Sequence, residues 1–368
     1  MTNAEAIIVL PPGAGGRIKS ERLRAWLSRG QVGFGVPLQS PLEKTLVDLD
    51  APLTDGSGAA LRYWGEKDER PVEWLAGADP VWLRPRMRDV VVEVLPPDLL
   101  SETDIRELFT SLQSELEGAD DLRFESDGRF GYLFSDMPFG TASVSGDVMQ
   151  GRVPDYLNAT RDSLGQYHRI NTEIQMLLHE HPVNQRRQGD GLPPINSLWL
   201  WGGGVAPQPE LFPLPKLYAD DPLFRGYWLA HGVKPNSWPG DLETCCDFGS
   251  GSFVAVPPAT EDSSPDPWLS ELKQLMVRGR FSRLIVNFRD ELCAELKYQD
   301  QFRFWKLLAA RFPINDSHQF AVLVGAFRLL LTVAIPRCLR TVPIAVLFFP
   351  QPFYLPIVAH PLHPSRVV

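Results

Sequence analysis

His179, His181, Asn184, Arg186, Arg187 and Asn196 fall in one short run, His179–Gly204, which reads HEHPVNQRRQGDGLPPINSLWLWGGG. Arginine forks hold phosphate or carboxylate bidentately, and glycines let backbone amides approach such an anion. His181, Asn184, Arg187, Asn196, Trp199, Trp201, Gly202 and Gly204 are therefore the candidate ligand-binding residues. A structural role is equally open: Asn184 and Asn196 can tie down a loop through backbone hydrogen bonds while the arginines stay in solvent. His179 and His181 flank Glu180 where a helix ends. Residues two apart on a helix point about 200° apart, so the two rings cannot share a metal within it. Zinc would also need further ligands nearby, and His181 then reads as a cap or a structural histidine.

Other motifs fall short of chemistry. Gly13-Ala14-Gly15-Gly16-Arg17-Ile18-Lys19-Ser20 sits between a strand and a helix as a phosphate loop would, but Ile18 stands where the glycine before the lysine is needed. It reads as a strand-to-helix turn. Asp247-Phe248-Gly249 resembles a kinase fragment, yet the sequence has no His-Arg-Asp loop to accompany it and no Gly-x-Ser-x-Gly elbow. Catalytic residues, metal ligands and cofactors are accordingly not assigned.

Composition narrows the classes. The chain has 368 residues, 22% charged and 44% hydrophobic, with a net charge of -9 and no basic run. A nucleic-acid surface needs clustered Lys and Arg, so nucleic acid is excluded as a direct partner. The 34 prolines shorten helices and lengthen irregular connections. Cys245, Cys246, Cys293 and Cys338 form no Cys-x-x-Cys pair, which points to reduced thiols and a cytoplasmic protein. The start, MTNAEAIIVLPPG, lacks the basic region of a signal peptide and reads as a strand.

These residues need elements to position them. Ala6–Leu10 is an apolar strand, and Ser20 caps a helix that buries Leu23, Trp26 and Leu27 before Gly30 ends it. Val90–Leu95 is a strand. Ser101 and Asp104 start a helix with the stripe Ile105, Leu108, Phe109, Leu112 and Leu116. Glycines between aromatic pairs over 120–150 suggest hairpins. A helix over about 155–180 carries Leu164, Ile170, Ile174, Leu177 and Leu178 on one face and is stopped by Pro182. Asn196–Trp201, Phe253–Val256 and Leu284–Phe288 are strands. Asp266 is expected to cap a helix with Pro267 at its first position and Gly279 after its end. Strand and helix alternating in this way predict an α/β fold.

The composition breaks near Asp316. From Ser317 to Val368 there is no Asp, Glu or Lys, and Pro343, Pro350, Pro352 and Pro356 interrupt the second apolar run. A spanning helix needs about 20 apolar residues without such breaks. The segment reads as an extension outside the core, dispensable for folding, with a membrane anchor as the alternative. A membrane is otherwise not expected as a partner.

His181-Pro182-Val183-Asn184, Arg187, Gly191, Pro194, Asn196, Gly202 and Gly204 resemble, step by step, a pattern of the archaeal-type cofactor-independent phosphoglycerate mutases. A closer resemblance is to a bacterial offshoot, the RpfE-type regulatory proteins (regulation of pathogenicity factors). It rests on Ala78-Asp79-Pro80-Val81-Trp82-Leu83-Arg84, Glu173–Leu178, Asn196–Gly204, Asp220-Asp221-Pro222-Leu223 and Phe304-Trp305. It covers about 5–310.

The resemblance implies an alkaline-phosphatase-like, phosphoglycerate-mutase-like α/β core at 1–316. An inserted α+β segment is placed near 95–190, and the tail at 317–368 stays outside. The mutases of this superfamily hold two divalent metals with Asp and His at strand ends. Here the first strand ends in Pro11-Pro12-Gly13 rather than Asp-Gly, the late strand runs on into Asn287-Phe288-Arg289-Asp290-Glu291, and Trp201 replaces an arginine before Gly-x-Gly. The expected function is a non-catalytic regulatory or binding protein built on a degenerate metalloenzyme, with a small phosphorylated metabolite or a protein as partner. The alternative is a phosphomutase or phosphohydrolase acting on such a metabolite.

Overall fold

Ala6, Ile8 and Leu10 face one side of the first strand and Ile7 and Val9 the other, and both sides are buried. Burial on two faces marks a parallel strand covered by helices. The computed structural model describes residues 4–11, 14–36, 38–53, 57–116, 122–154, 164–247, 251–258, 264–289 and 292–303. The segment 317–368, with Cys338, lies outside the described residues, as do Phe304 and Trp305.

In chain order the elements begin with β1 (Glu5–Leu10), α1 (Glu21–Leu27), β2 (Gln31–Phe34), α2 (Pro41–Asp48) and α3 (Gly58–Lys67). A second group follows: β3 (Leu75–Pro85), β4 (Val90–Val94), α4 (Glu102–Leu116), β5 (Leu122–Ser126), β6 (Gly131–Ser135), α5 (Gly146–Met149), α6 (Leu164–His179), α7 (Pro182–Gly189) and β7 (Ser197–Gly204). The described chain closes with β8 (Lys216–Ala219), α8 (Pro222–Ala230), α9 (Leu242–Asp247), β9 (Phe253–Val256), α10 (Asp266–Val277), β10 (Arg283–Phe288) and β11 (Leu292–Lys297).

The first sheet has the order β2-β11-β10-β1-β9-β8, with β10, β1, β9 and β8 parallel and β11 antiparallel to both its neighbours, β10 and β2. Register brings the carboxyl ends of the parallel strands together: Leu10 pairs with Phe288, and Ala219 with Val256. On one face lie α1, α9 and α10, contributing Trp26, Leu242, Leu269 and Leu272. On the other lie α2, α3 and α8, contributing Leu46, Leu61, Tyr227 and Trp228. α3 and α8 cross so closely that a Cβ on Gly65 would strike the Pro222 carbonyl and one on Gly226 the Leu61 carbonyl. Local sequence starts these helices as expected: Ser20 Oγ accepts from Leu23 N, and Ser40 with Glu43 forms a capping box on α2.

The second sheet is antiparallel. Val81 pairs with both Val94 and Ser197, and Gly77 with both Tyr132 and Trp201, so β7 lies along one edge of β3 while β6 and β4 share the other. One face is covered by α4 and α6, whose Ile105, Leu108, Leu112, Ile170, Ile174 and Leu178 join Leu198 and Leu200. Leu75, Tyr132 and Phe134 pack with α3 and α8, joining the two sheets into one core.

One expectation changes. Asp266 begins α10 but does not cap it. Its carboxylate instead accepts the Lys19 and Ser20 N–H groups, and Pro265 is the residue before the helix. α6 ends at His179, because Pro182 holds the preceding His181 in extended backbone (ψ 137°), and Pro182 is also the first residue of α7, where its missing N–H is harmless. The helix expected over 155–180 is described as α6, and its residues 155–163 lie outside the described residues. The segment 95–190 contributes β5 and β6 to the second sheet, whose strands run from Leu75 to Gly204. Among the described residues no helix is long and apolar enough to cross a membrane.

Candidate functional site

In open α/β sheets ligands bind outside the carboxyl ends of the strands. In this chain those ends carry Arg289, one residue past β10, Asp220 and Asp221 after β8, and Asn287 within β10. Arg289 Nη2 donates to Asp221 Oδ2 at 3.1 Å, and Nη1 lies 3.9 Å from Asp147 Oδ2 on α5. Asp221 Oδ1 meanwhile accepts the Leu223 and Phe224 N–H groups, at 3.0 and 3.4 Å, as N-cap of α8. Asp220 Oδ1 accepts from Trp238 N at 3.2 Å. Asn287 Nδ2 donates to Asp48 Oδ2 at 2.9 Å, and Asp48 pairs with Lys44 one helical turn away on α2. Asn287 Oδ1 and Arg289 Nε are buried with no hydrogen-bond partner among the described residues. A cavity of about 30 Å³ adjoins them.

A guanidinium and an amide stand on β10, and the Asp220 and Asp221 carboxylates already hold backbone N–H groups or Arg289. Two adjacent divalent ions need several free carboxylate or imidazole ligands to offset their charge. Among the described residues no group of three or more His, Cys, Asp or Glu could hold a metal ion.

The residues singled out in the run His179–Gly204 lie on α7, the turn after it and β7. His181 caps α7: Nδ1 accepts from Val183 N at 3.2 Å and Nε2 faces Ser111 Oγ at 2.9 Å. Asn184 clamps the turn, donating to Leu178 O at 2.7 Å and Ile195 O at 2.8 Å and accepting from Ile195 N at 2.9 Å. Asn196 extends the β3–β7 ladder through its side chain, accepting from Leu83 N at 2.7 Å and donating to Leu83 O at 3.0 Å.

Arg187 differs from the solvated arginine expected. It is 1% exposed, donates from Nε to Pro193 O at 3.0 Å and from Nη1 to Leu99 O at 2.8 Å, and lies 3.7 Å from Asp104. Burial pulls its guanidinium below the ordinary value while Asp104 opposes the shift. Nη2 is buried without a partner and is the one atom of this side chain left for a ligand or a water. Arg186, in contrast, is exposed and forks onto Asp104 and Glu107.

Trp199 donates from Nε1 to Val144 O at 2.9 Å. Trp201 donates from Nε1 to Asp79 Oδ2 at 2.6 Å, and the same carboxylate takes both of its bonds to Arg62 Nη1, at 2.7 and 2.9 Å. Arg62 lies 4.8 Å from the Phe130 and Tyr132 ring centres and 5.0 Å from that of Trp201. Burial alone would depress the Arg62 guanidinium, and the Asp79 carboxylate outweighs it and raises the group. The cluster fastens α3 to the second sheet. Gly202 adopts φ +59°, and a Cβ there would come within 2.8 Å of Ala59 N. Gly204 pairs with Leu75 at the end of β7.

Lys44, Asp48, Asn287 and Arg289 were not among the residues singled out from the sequence. A local signal existed: Asn287 near the end of β10 and Arg289 just past it are polar residues two apart after the apolar run Leu284–Val286, and Lys44–Asp48 is an i,i+4 pair.

No family model matches the chain. A stretch of 43 residues is 58% identical to the 2,3-bisphosphoglycerate-independent phosphoglycerate mutase of Methanothrix thermoacetophila, covering 12% of this chain and 11% of that protein. A stretch of 67 residues is 37% identical to the protein of the same name from Methanosarcina acetivorans, covering 18% and 16%. The matched stretches thus span under a fifth of these relatives' length. Among solved structures, the cofactor-independent phosphoglycerate mutase of Thermoplasma acidophilum overlaps 81% of this chain and 90% of its own at 17% identity and a TM-score of 0.38. The PH0037 protein of Pyrococcus horikoshii overlaps 80% and 87% at 11% identity and a TM-score of 0.40.

Proposed function

We propose that this chain is a non-catalytic binding or regulatory protein of phosphoglycerate-mutase-like descent, of the RpfE type, acting in the cytoplasm. The descent is supported by the short stretches shared with two curated mutases. The loss of metal-dependent chemistry is supported by one observation above all. Where the parallel strands end, Arg289 is paired with Asp221, and the nearby carboxylates hold backbone amides instead of converging on an open point. A cation placed there would meet a guanidinium, not a ligand set. The partner is then a small phosphorylated metabolite or another protein, recognised rather than converted.

A second reading keeps catalysis: a phosphomutase or phosphohydrolase with a rearranged site, acting on a small phosphorylated metabolite. The identity to the Methanothrix mutase, 58% over 43 residues, favours it. Assays of 3-phosphoglycerate interconversion and of phosphate release, with and without added Mn²⁺, separate the two. No turnover under either condition supports the binding protein, and metal-dependent turnover supports the enzyme.

A further inference from the structure

The groups that cannot hold a metal at the end of β10 are suited to an anion. We infer that Asn287, Arg289 and Lys44 form a site for a compact oxyanion that also carries a hydroxyl, the chemistry of a singly protonated phosphate. This inference rests on the binding reading above and names what the same end of the sheet would bind.

The geometry begins with the strand. Ile285 packs toward α2 and α3, so Asn287 and Arg289, at steps of two, continue along that face. Positions two apart on a strand are about 6.5 Å apart, close enough for one small group to touch both. Asn287 is 4% exposed, and its amide nitrogen is fixed on Asp48. Among the described residues its Oδ1 is thereby left as a buried acceptor without a partner, and Arg289 Nε as a buried donor without one. Unmet buried polar atoms are costly, and two beside one cavity call for an occupant that offers both an acceptor and a donor.

Lys44 lines the same cavity. Its ammonium gives one bond to Asp48 and has three donors in all. Among the described residues the nearby carboxylates are already answered: Asp48 by Lys44 and Asn287, Asp221 by Arg289 and the start of α8, and Asp147 by Ser145. Among the described residues the unmet groups at the cavity are then the donors of Arg289 Nε and Lys44, which select an oxyanion, and the acceptor Asn287 Oδ1, which selects one with a proton to give. A volume of about 30 Å³ exceeds the ~10–15 Å³ that one water requires, enough for a compact head group and not for a whole metabolite.

The test uses the full chain with inorganic phosphate and with sulfate, titrated calorimetrically near neutral pH, where inorganic phosphate always carries at least one proton. Sulfate matches phosphate in shape but has no proton to donate to Asn287. Saturable phosphate binding is expected, with sulfate weaker. Arg289→Met should weaken both anions by roughly tenfold or more. Asn287→Ala should erase the preference for phosphate while leaving sulfate binding in place. Arg186→Met, which alters an exposed arginine elsewhere, should change neither. Should Arg289→Met fail to fold, Lys44→Gln must show the same loss for both anions. Absence of saturable binding, equal affinity for sulfate, or binding untouched by these substitutions overturns the site. A parallel Mn²⁺ titration judges the functional reading separately: tight manganese binding sinks that reading, whatever phosphate does.

Discussion

Arg289 Nη2 and Asp221 Oδ2 meet at 3.1 Å across the carboxyl ends of β10 and β8, while Asp221 Oδ1 starts α8. One carboxylate thus serves two elements, a helix N-terminus and a guanidinium, which stabilise it through hydrogen bonds and charge alike. Asp221→Ala should cost about 1–2 kcal/mol through the lost cap, whereas Asp221→Asn, which can still cap, should recover most of it. Chemical denaturation of the two variants checks this. Equal losses would mean that the ion pair, not the cap, carries the stability.

Arg187 and Arg186 are neighbours with opposite roles. Arg187→Ala leaves the carbonyls of Leu99 and Pro193 buried without donors and should cost about 2–4 kcal/mol. Arg186→Ala removes only exposed ion pairs and should cost about 1 kcal/mol or less. Similar losses for the two, measured by urea denaturation, would contradict the buried anchoring of Arg187.

Asn184 and Asn196 each hold backbone through two or more bonds, so Asn184→Ala and Asn196→Ala should each destabilise by about 1–3 kcal/mol. Asn196 acts on the β3–β7 seam and Asn184 on the turn between α7 and β7. Hydrogen exchange should accordingly report faster opening near Leu83 in the first variant and near Ile195 in the second. Uniform acceleration across the chain in both would refute these local roles.

His181 supplies a pH dependence. Its Nδ1 accepts the Val183 N–H, which requires that nitrogen to be unprotonated. Burial holds the imidazole below its ordinary value, Glu107 opposing and Arg186 reinforcing the shift. The unfolded chain therefore takes up the proton first. This contribution is complete above the ordinary value of about 6.5 and is lost as pH falls through the lower folded one. Between about pH 6.5 and 5 the Tm of the natural chain should fall further than that of His181→Asn, which can cap without titrating. Parallel curves would show that the cap does not depend on protonation.

Much of this fold was legible locally. β9, β10, the stripe on α4, the Ser20 cap and the turn at Gly279, with φ +71°, all follow from periodicity and end signals. β3 was missed because Leu75–Pro85 contains Gly77 and Pro80, which argue against a central strand. Pro80 is tolerated because it pairs with Leu198 on one side, while on the other it falls in the gap between the β6 partner Gly77 and the β4 partner Val81. The burial of Arg187 was invisible for a related reason: one of its acceptors, Leu99 O, lies 88 residues away. The cavity beside Asn287 depends in the same way on α2, which lies far from β10 in sequence.

The proposed reading, a protein that binds without metal-dependent catalysis, is tested most directly on protein purified without chelator. Metal content is measured by elemental analysis, and 3-phosphoglycerate interconversion is assayed on the same sample before and after Mn²⁺ addition. The account predicts substoichiometric metal and no interconversion under either condition. Two tightly held divalent ions per chain, the complement of a two-metal site, together with turnover would contradict it.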